Sequence, residues 1–193
     1  FEKLSMNKFL YLIFFAFLLC SCSDDKRISF NGSDITKANI NGNFNLTDQF
    51  GKERKLTDFK GNVVAIFFGF ANCPDICPTT LIELKEIDKI IGNKKLQVLF
   101  VTLDPERDTN EVLKDYLASF NKTFIGLTGN IKDIEKIARQ YKIFRLKVGE
   151  GVSYTIDHSS AIYLVDKKGD VRLRYPYGFK IEEIVEDIKK LID

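Results

Sequence analysis

The chain has 193 residues, 45% of them hydrophobic, which fits one domain with a full core and excludes a disordered chain or a repeat array. Lys and Arg (29) nearly balance Asp and Glu (27), and the formal charge of +2 offers no basic face for nucleic acid. One His, one Met and no Trp exclude a metal site built from several histidines and any His-Glu-x-x-His protease helix.

In chain order, the first feature is the apolar run FLYLIFFAFLLC at residues 9–20, preceded by Lys8 and followed by Ser21, Cys22, Ser23, Asp24 and Asp25. About 12 residues is short for a bilayer span, which takes roughly 20. A basic flank, a short apolar run and then small residues is the layout of a secretory signal, so Met6 is the expected start and residues 1–5 lie upstream. Leu19-Cys20-Ser21-Cys22 resembles a bacterial lipobox with Cys22 as the lipidated first residue; an uncleaved signal anchor is the alternative. Either way the domain is expected to be exported, anchored at the membrane and facing the periplasm or an equivalent space. Residues 23–43 are polar and rich in Asn, Gly, Ser and Asp, the composition of a tether, which leaves 44–193 as the folded domain.

Residues 44–46 and 55–57 flank Asp48-Gln49-Phe50-Gly51-Lys52 and predict a hairpin turning at Gly51. VVAIFFGF (63–70) is continuously apolar, as in a central strand covered on both faces. Leu81, Leu84, Ile87 and Ile91 recur at helical spacing and predict a helix over 78–91 that stops at Gly92. A second buried strand follows at 96–103, a helix at 109–119, a short strand at 124–127, and a helix capped by Asn130 with a stripe of Ile131, Ile134, Ile137, Ala138 and Tyr141. Residues 161–165 and 171–174 predict an antiparallel pair, and 181–192 a closing helix. The order β-α-β-α-β, then a hairpin and a last helix, defines an α/β domain of thioredoxin-like topology: a central mixed β-sheet flanked by helices on both faces, with the N-terminal hairpin added.

Cys73 and Cys77 lie in FANCPDICP, in the loop between the first central strand and its helix, where N–H groups and the helix dipole stabilise a thiolate. Three intervening residues bring both sulfurs to one side of a helical turn, while Pro74 and Pro78 order the loop. A plain disulfide would suit an exported chain, but a bridge closing so short a loop removes little chain entropy. Thiol exchange usually uses two intervening residues; three suits a metal bridging both sulfurs. Zinc in a structural site asks for four protein ligands, whereas copper accepts two thiolates and one imidazole. His158, just before the strand at 161–165, is the one imidazole available.

FGFANCPDICPTTL (68–81), VTLDPERDT (101–109) and DHSSAIYLVD (157–166), in this order and separation, resemble the Sco (SenC) family of exported thioredoxin-fold proteins that help deliver copper to cytochrome c oxidase. The resemblance covers roughly 40–190 and implies Cys73, Cys77 and His158 as copper ligands, with copper as Cu(I) and/or Cu(II). It also implies a copper-accepting subunit of the oxidase as partner. Asp104 resembles the family's loop acid near the site, but a turn or cap before Pro105 is the better account of an acid there. Asp157 is expected to orient the imidazole of His158. Two departures stand out: Asn72 replaces a His that many relatives carry, and a lipobox-like end replaces the more usual membrane helix. The competing role is a thiol-disulfide oxidoreductase that uses Cys73 and Cys77 alone to reduce the acceptor's cysteines.

Overall fold

A computed structural model describes residues 29–92, 95–151 and 153–193. Its centre is β4 (Val63–Gly69), buried at every position, which pairs in parallel with β5 (Leu96–Thr102) and antiparallel with β9 (Ala161–Val165). The parallel run continues to β6 (Ile125–Thr128), and β10 (Val171–Pro176) lies antiparallel outside β9. Beyond β6, the N-terminal hairpin of β2 (Asn45–Asp48) and β3 (Glu53–Lys55) joins the same sheet through β2. The short β1 (Ser33–Asp34) covers β10, which makes eight strands in the order β1-β10-β9-β4-β5-β6-β2-β3. This is the mixed, thioredoxin-like α/β sheet that the element order predicts.

Alternation along β4 divides the core. Val63, Ala65 and Phe67 pack with α1 (Ile76–Ile91), α2 (Asn110–Ala118) and α4 (Ile181–Ile192), contacting Leu81, Leu84, Leu113 and Ile188 in one apolar cluster. Val64, Ile66 and Phe68 face the opposite side, with Ile134, Ile137 and Ala138 of α3 (Ile131–Gln140) and the rings of Tyr141 and Tyr163. Asn130 caps α3 as predicted, its side-chain oxygen accepting the Asp133 N–H at 3.0 Å.

Two parts of the chain depart from the sequence reading. The first is 29–43, read as tether, which lies along the domain. Its attachment combines backbone N–H groups with the side chains of Phe30, Ile35 and Ile40, which pack on the two core clusters. The Asn31 and Gly32 N–H groups donate to the buried carboxylate of Asp187 at 2.8 and 2.9 Å, and Tyr175 and Lys190 donate to the same group at 2.8 and 2.9 Å. A Cβ at Gly32 would sit 2.4 Å from the Tyr175 ring, so only glycine permits this approach.

The second is a separate two-stranded sheet that sequence reading misses, made of β7 (Arg145–Val148) and β8 (Thr155–His158). It carries His158 on its last residue. Among the described residues no helix is long and apolar enough to cross a membrane.

Candidate metal centre

The site forms where β4 ends. After Gly69 and Phe70 the chain turns at Ala71 and Asn72, and α1 begins at Ile76, two residues before the predicted start at Pro78. Proline is tolerated in a first helical turn because its missing N–H has no partner there, so the helix extends back through Cys77. Cys73 therefore sits in the loop and Cys77 inside the first turn. The Cys77 N–H is one of the donors a helix start leaves unsatisfied, and it points to the Cys73 sulfur at 3.5 Å. Cys77 is fully buried and Cys73 partly so, and neither is bridged. Gly69 gives the pair its room, since a Cβ there would lie 2.8 Å from the Cys77 sulfur and 2.9 Å from the Phe100 ring.

His158 reaches the pair from β8. Its Nε2 lies 3.8 Å from the Cys77 sulfur, and one ligand atom from each of Cys73, Cys77 and His158 falls within 4.8 Å of the others. Nδ1 is 3.0 Å from the Ser159 carbonyl oxygen, which can only accept; Nδ1 therefore donates there, and Nε2 is the ring nitrogen turned to the sulfurs. The ring meets Phe70 edge-on at 5.8 Å between centroids. Asp157, expected to orient the imidazole, does not do so. Neighbours on a strand point to opposite faces, and with Ile156 and His158 turned inward, Asp157 is exposed on the outer side.

The two thiols are not equivalent. Hydrogen bonding from the Cys77 side chain, then from His158 and the Asp75 and Cys77 N–H groups, pulls the Cys73 pKa down to about 3 despite its partial burial. The hydrogen bond to Cys73, together with burial, pushes Cys77 far up. The pair therefore holds one negative charge, on Cys73, and one proton, on Cys77. Two sulfurs and one ring nitrogen in this geometry suit a soft cation with few ligands; no carboxylate joins them among the described residues, so the four-ligand set of a structural zinc site is not present there.

Asp104 is buried but lies outside this group. Its carboxylate accepts from Arg107 Nε at 2.5 Å and from the Tyr154 hydroxyl at 2.6 Å. A residue that sequence reasoning missed is closer in effect: Asp108, buried, accepts the Ala71 N–H at 3.0 Å and the Thr102 hydroxyl at 2.5 Å, fixing the loop that leads to Cys73. Burial pushes its pKa up. The only signal was its place inside VTLDPERDT, since the contact with Ala71 spans 37 positions of chain. Asn72 is exposed, and Cys22 lies outside the described residues.

A thioredoxin-like domain with two free thiols at the head of its first long helix, and an imidazole brought over them by a hairpin, defines a class of thiol and soft-metal proteins. The chain belongs to the SCO1/SenC family, whose model matches residues 32–193. It is 41% identical over 155 residues to a SCO2-like protein of Rickettsia felis, an alignment covering 78% of this chain and 76% of that one. Among solved structures it is similar to Bradyrhizobium japonicum ScoI with copper bound, at 38% identity and a TM-score of 0.73, covering 79% of this chain and 99% of the other. It is also similar to BsSco, a member of the Sco family of cytochrome c oxidase assembly proteins in which a disulfide switch has been identified. That match has 25% identity and a TM-score of 0.67 and covers 87% and 98% of the two chains.

Proposed function

We propose that this protein binds one copper ion between Cys73, Cys77 and His158 and passes it by ligand exchange to the copper-accepting subunit of cytochrome c oxidase. The observation that carries the reading is the convergence of three soft or borderline donors within 4.8 Å, His158 Nε2 included, in a chain similar to a copper-bound ScoI. The partly exposed Cys73 gives an acceptor thiolate a place to attack without unfolding the site. Titration of the reduced chain with Cu(I) tests this. One tightly bound ion per chain is expected, with His158→Ala weakening binding and Cys73→Ser or Cys77→Ser abolishing it. Two or more tight ions, or binding indifferent to His158, would overturn the ligand set.

A second reading rests on the Cys73 thiolate and on the likeness to BsSco: the same dithiol acts as a thiol-disulfide oxidoreductase toward the acceptor's cysteines. His158→Ala separates the two when both are measured, because copper loses a ligand outright, whereas thiol exchange loses only a hydrogen bond to Cys73 that is secondary to the one from Cys77. We also place the domain outside the cytoplasm, anchored through Cys22 as a lipidated residue, on the strength of the basic flank and short apolar run ahead of it. A mature mass that begins at diacylated Cys22 would bear this out, and retention of residues 6–21 would favour the signal anchor.

A further inference from the structure

His158 belongs to no strand of the main sheet. It stands on the β7–β8 hairpin, whose outer face carries exposed Phe144, Leu146 and Val148 and buries nothing. Its inner face is anchored in the core by Ile156, with Tyr154 just ahead of it, and polar contacts add to this packing in fixing the distance from His158 to the thiols. The contacts that do so converge on one loop, 103–108, at the end of β5. Arg107 Nη1 donates to the Tyr154 carbonyl at 2.9 Å and Arg145 Nε donates to the Leu103 carbonyl at 2.6 Å. The Tyr154 hydroxyl donates to Asp104 at 2.6 Å, and Arg107 Nε closes the triangle onto the same carboxylate at 2.5 Å. The Tyr154 ring is held between two cations, with the Arg107 guanidinium 3.7 Å and the Lys147 ammonium 3.8 Å from its centroid. Lys147 in turn pairs with Glu106 at 2.8 Å.

The same loop grips the other half of the site. Leu103 N–H donates to the Gly69 carbonyl at 2.7 Å, and Asp108 accepts the Ala71 N–H at 3.0 Å, two residues before Cys73. The thiols and the imidazole thus have a single common support, with Asp108 facing the cysteine loop and Asp104 with Arg107 facing the hairpin.

Resting on the copper reading above, we propose that Tyr154, clamped by Asp104, Arg107 and Lys147, is the positioning residue that holds His158 over the dithiol, so that breaking the clamp removes the imidazole from the metal while leaving both sulfurs in place. Tyr154 touches none of the three ligand atoms and acts only through the hairpin. Outer-shell groups that orient a ligand typically control affinity by about 10- to 100-fold.

The test is a double-mutant cycle on the full chain. Tyr154→Leu, which removes the hydroxyl and the ring between the cations, should weaken Cu(I) binding by about 10- to 100-fold. In the His158→Ala background the same change should cost nothing further. Hydrogen exchange on the metal-free chain is the second arm, with faster exchange expected in β7 and β8 and unchanged exchange in β4 and β5. An undiminished affinity in Tyr154→Leu, an equal loss with and without His158, or faster exchange throughout the sheet would each overturn the proposal. A wild type that fails to bind copper refutes the ligand reading instead, and the exchange arm then decides the clamp by itself.

Discussion

Reduced, metal-free protein treated with iodoacetamide at a series of pH values should be labelled at Cys73 at a rate that hardly changes between about pH 5 and pH 8. The perturbation is pH alone, and the sign follows from the direction of each shift. An ordinary thiol near the 9.0 reference is about 1% thiolate at pH 7 and gains tenfold per pH unit, whereas Cys73, drawn down to about 3, is thiolate throughout. A low-pKa thiolate is also intrinsically less nucleophilic, with a Brønsted slope of about 0.4–0.5, so six units of pKa cost roughly 250- to 1,000-fold. Set against a thiolate gain of about 100-fold at pH 7 and 10,000-fold at pH 5, Cys73 should react roughly 3- to 10-fold slower than a free thiol at pH 7 and about 10- to 40-fold faster at pH 5. The crossover is the signature, because no uniform change of access produces it. Cys77, buried and holding its proton, should remain unlabelled. In Cys77→Ala the leading hydrogen bond to Cys73 is lost and a pH-dependent rate should return. Peptide mass spectrometry resolves the two positions; a Cys73 rate climbing tenfold per unit from pH 5 to 8, or labelling of Cys77 first, would refute the shared-proton arrangement.

Two other outcomes follow from the same structure. Loading with Cu(I) at about pH 8 should release one proton per ion from the dithiol, that of Cys77, because Cys73 holds none. Unbuffered titration with a pH electrode measures this, and release of two protons would mean that both thiols are protonated in the metal-free site. Asp187→Ala should strand the buried Gly32 N–H and Tyr175 hydroxyl without an acceptor, at about 1–3 kcal/mol each. The melting temperature should fall by roughly 8–16 °C for about 4 kcal/mol, while Cu(I) affinity is unchanged; a loss below about 1 kcal/mol would mean that residues 29–35 contribute little to stability.

What could be read from sequence was whatever is encoded by local period and composition. The unbroken apolar run of β4 can only be a strand covered on both faces, and Leu81, Leu84 and Ile87 mark the buried stripe of α1. The dithiol was legible because two cysteines between a strand and a helix stand at a known chemical position. The β7–β8 hairpin was not, because Ile156 is the strand residue by which it enters the core: Arg145 and Lys147 point to the loop while Leu146 and Val148 face solvent, so the alternation of β7 carries no burial signal. Its fixing group, Tyr154, pairs with residues 47 and 50 positions away, a separation that no window of sequence reveals. The attachment of 29–35 was hidden for another reason, since much of it uses backbone N–H groups, which every residue but proline carries, and its apolar contacts, Phe30 and Ile35, are too sparse to show a period. Asp157 was the natural partner for His158 by adjacency, yet strand geometry turned it outward and gave Nδ1 the Ser159 carbonyl.

The spacing of the cysteines acquires its meaning from where the helix begins. Because α1 starts at Ile76, Cys77 is held inside the first turn and Cys73 stays outside it, free to accept the Cys77 N–H and to carry the charge. A metal that takes both sulfurs must displace the one remaining proton, and a returning proton on Cys77 must weaken the metal's hold. Oxidation to a disulfide would draw on the same proton and the same thiolate, so the dithiol alone does not favour one chemistry over the other. His158 adds a third donor, with Nε2 3.8 Å from the Cys77 sulfur, which a soft cation can take up and a disulfide cannot bond. The hairpin and the clamp that hold this ring are therefore where an alteration should separate metal affinity from the rate of thiol exchange most clearly.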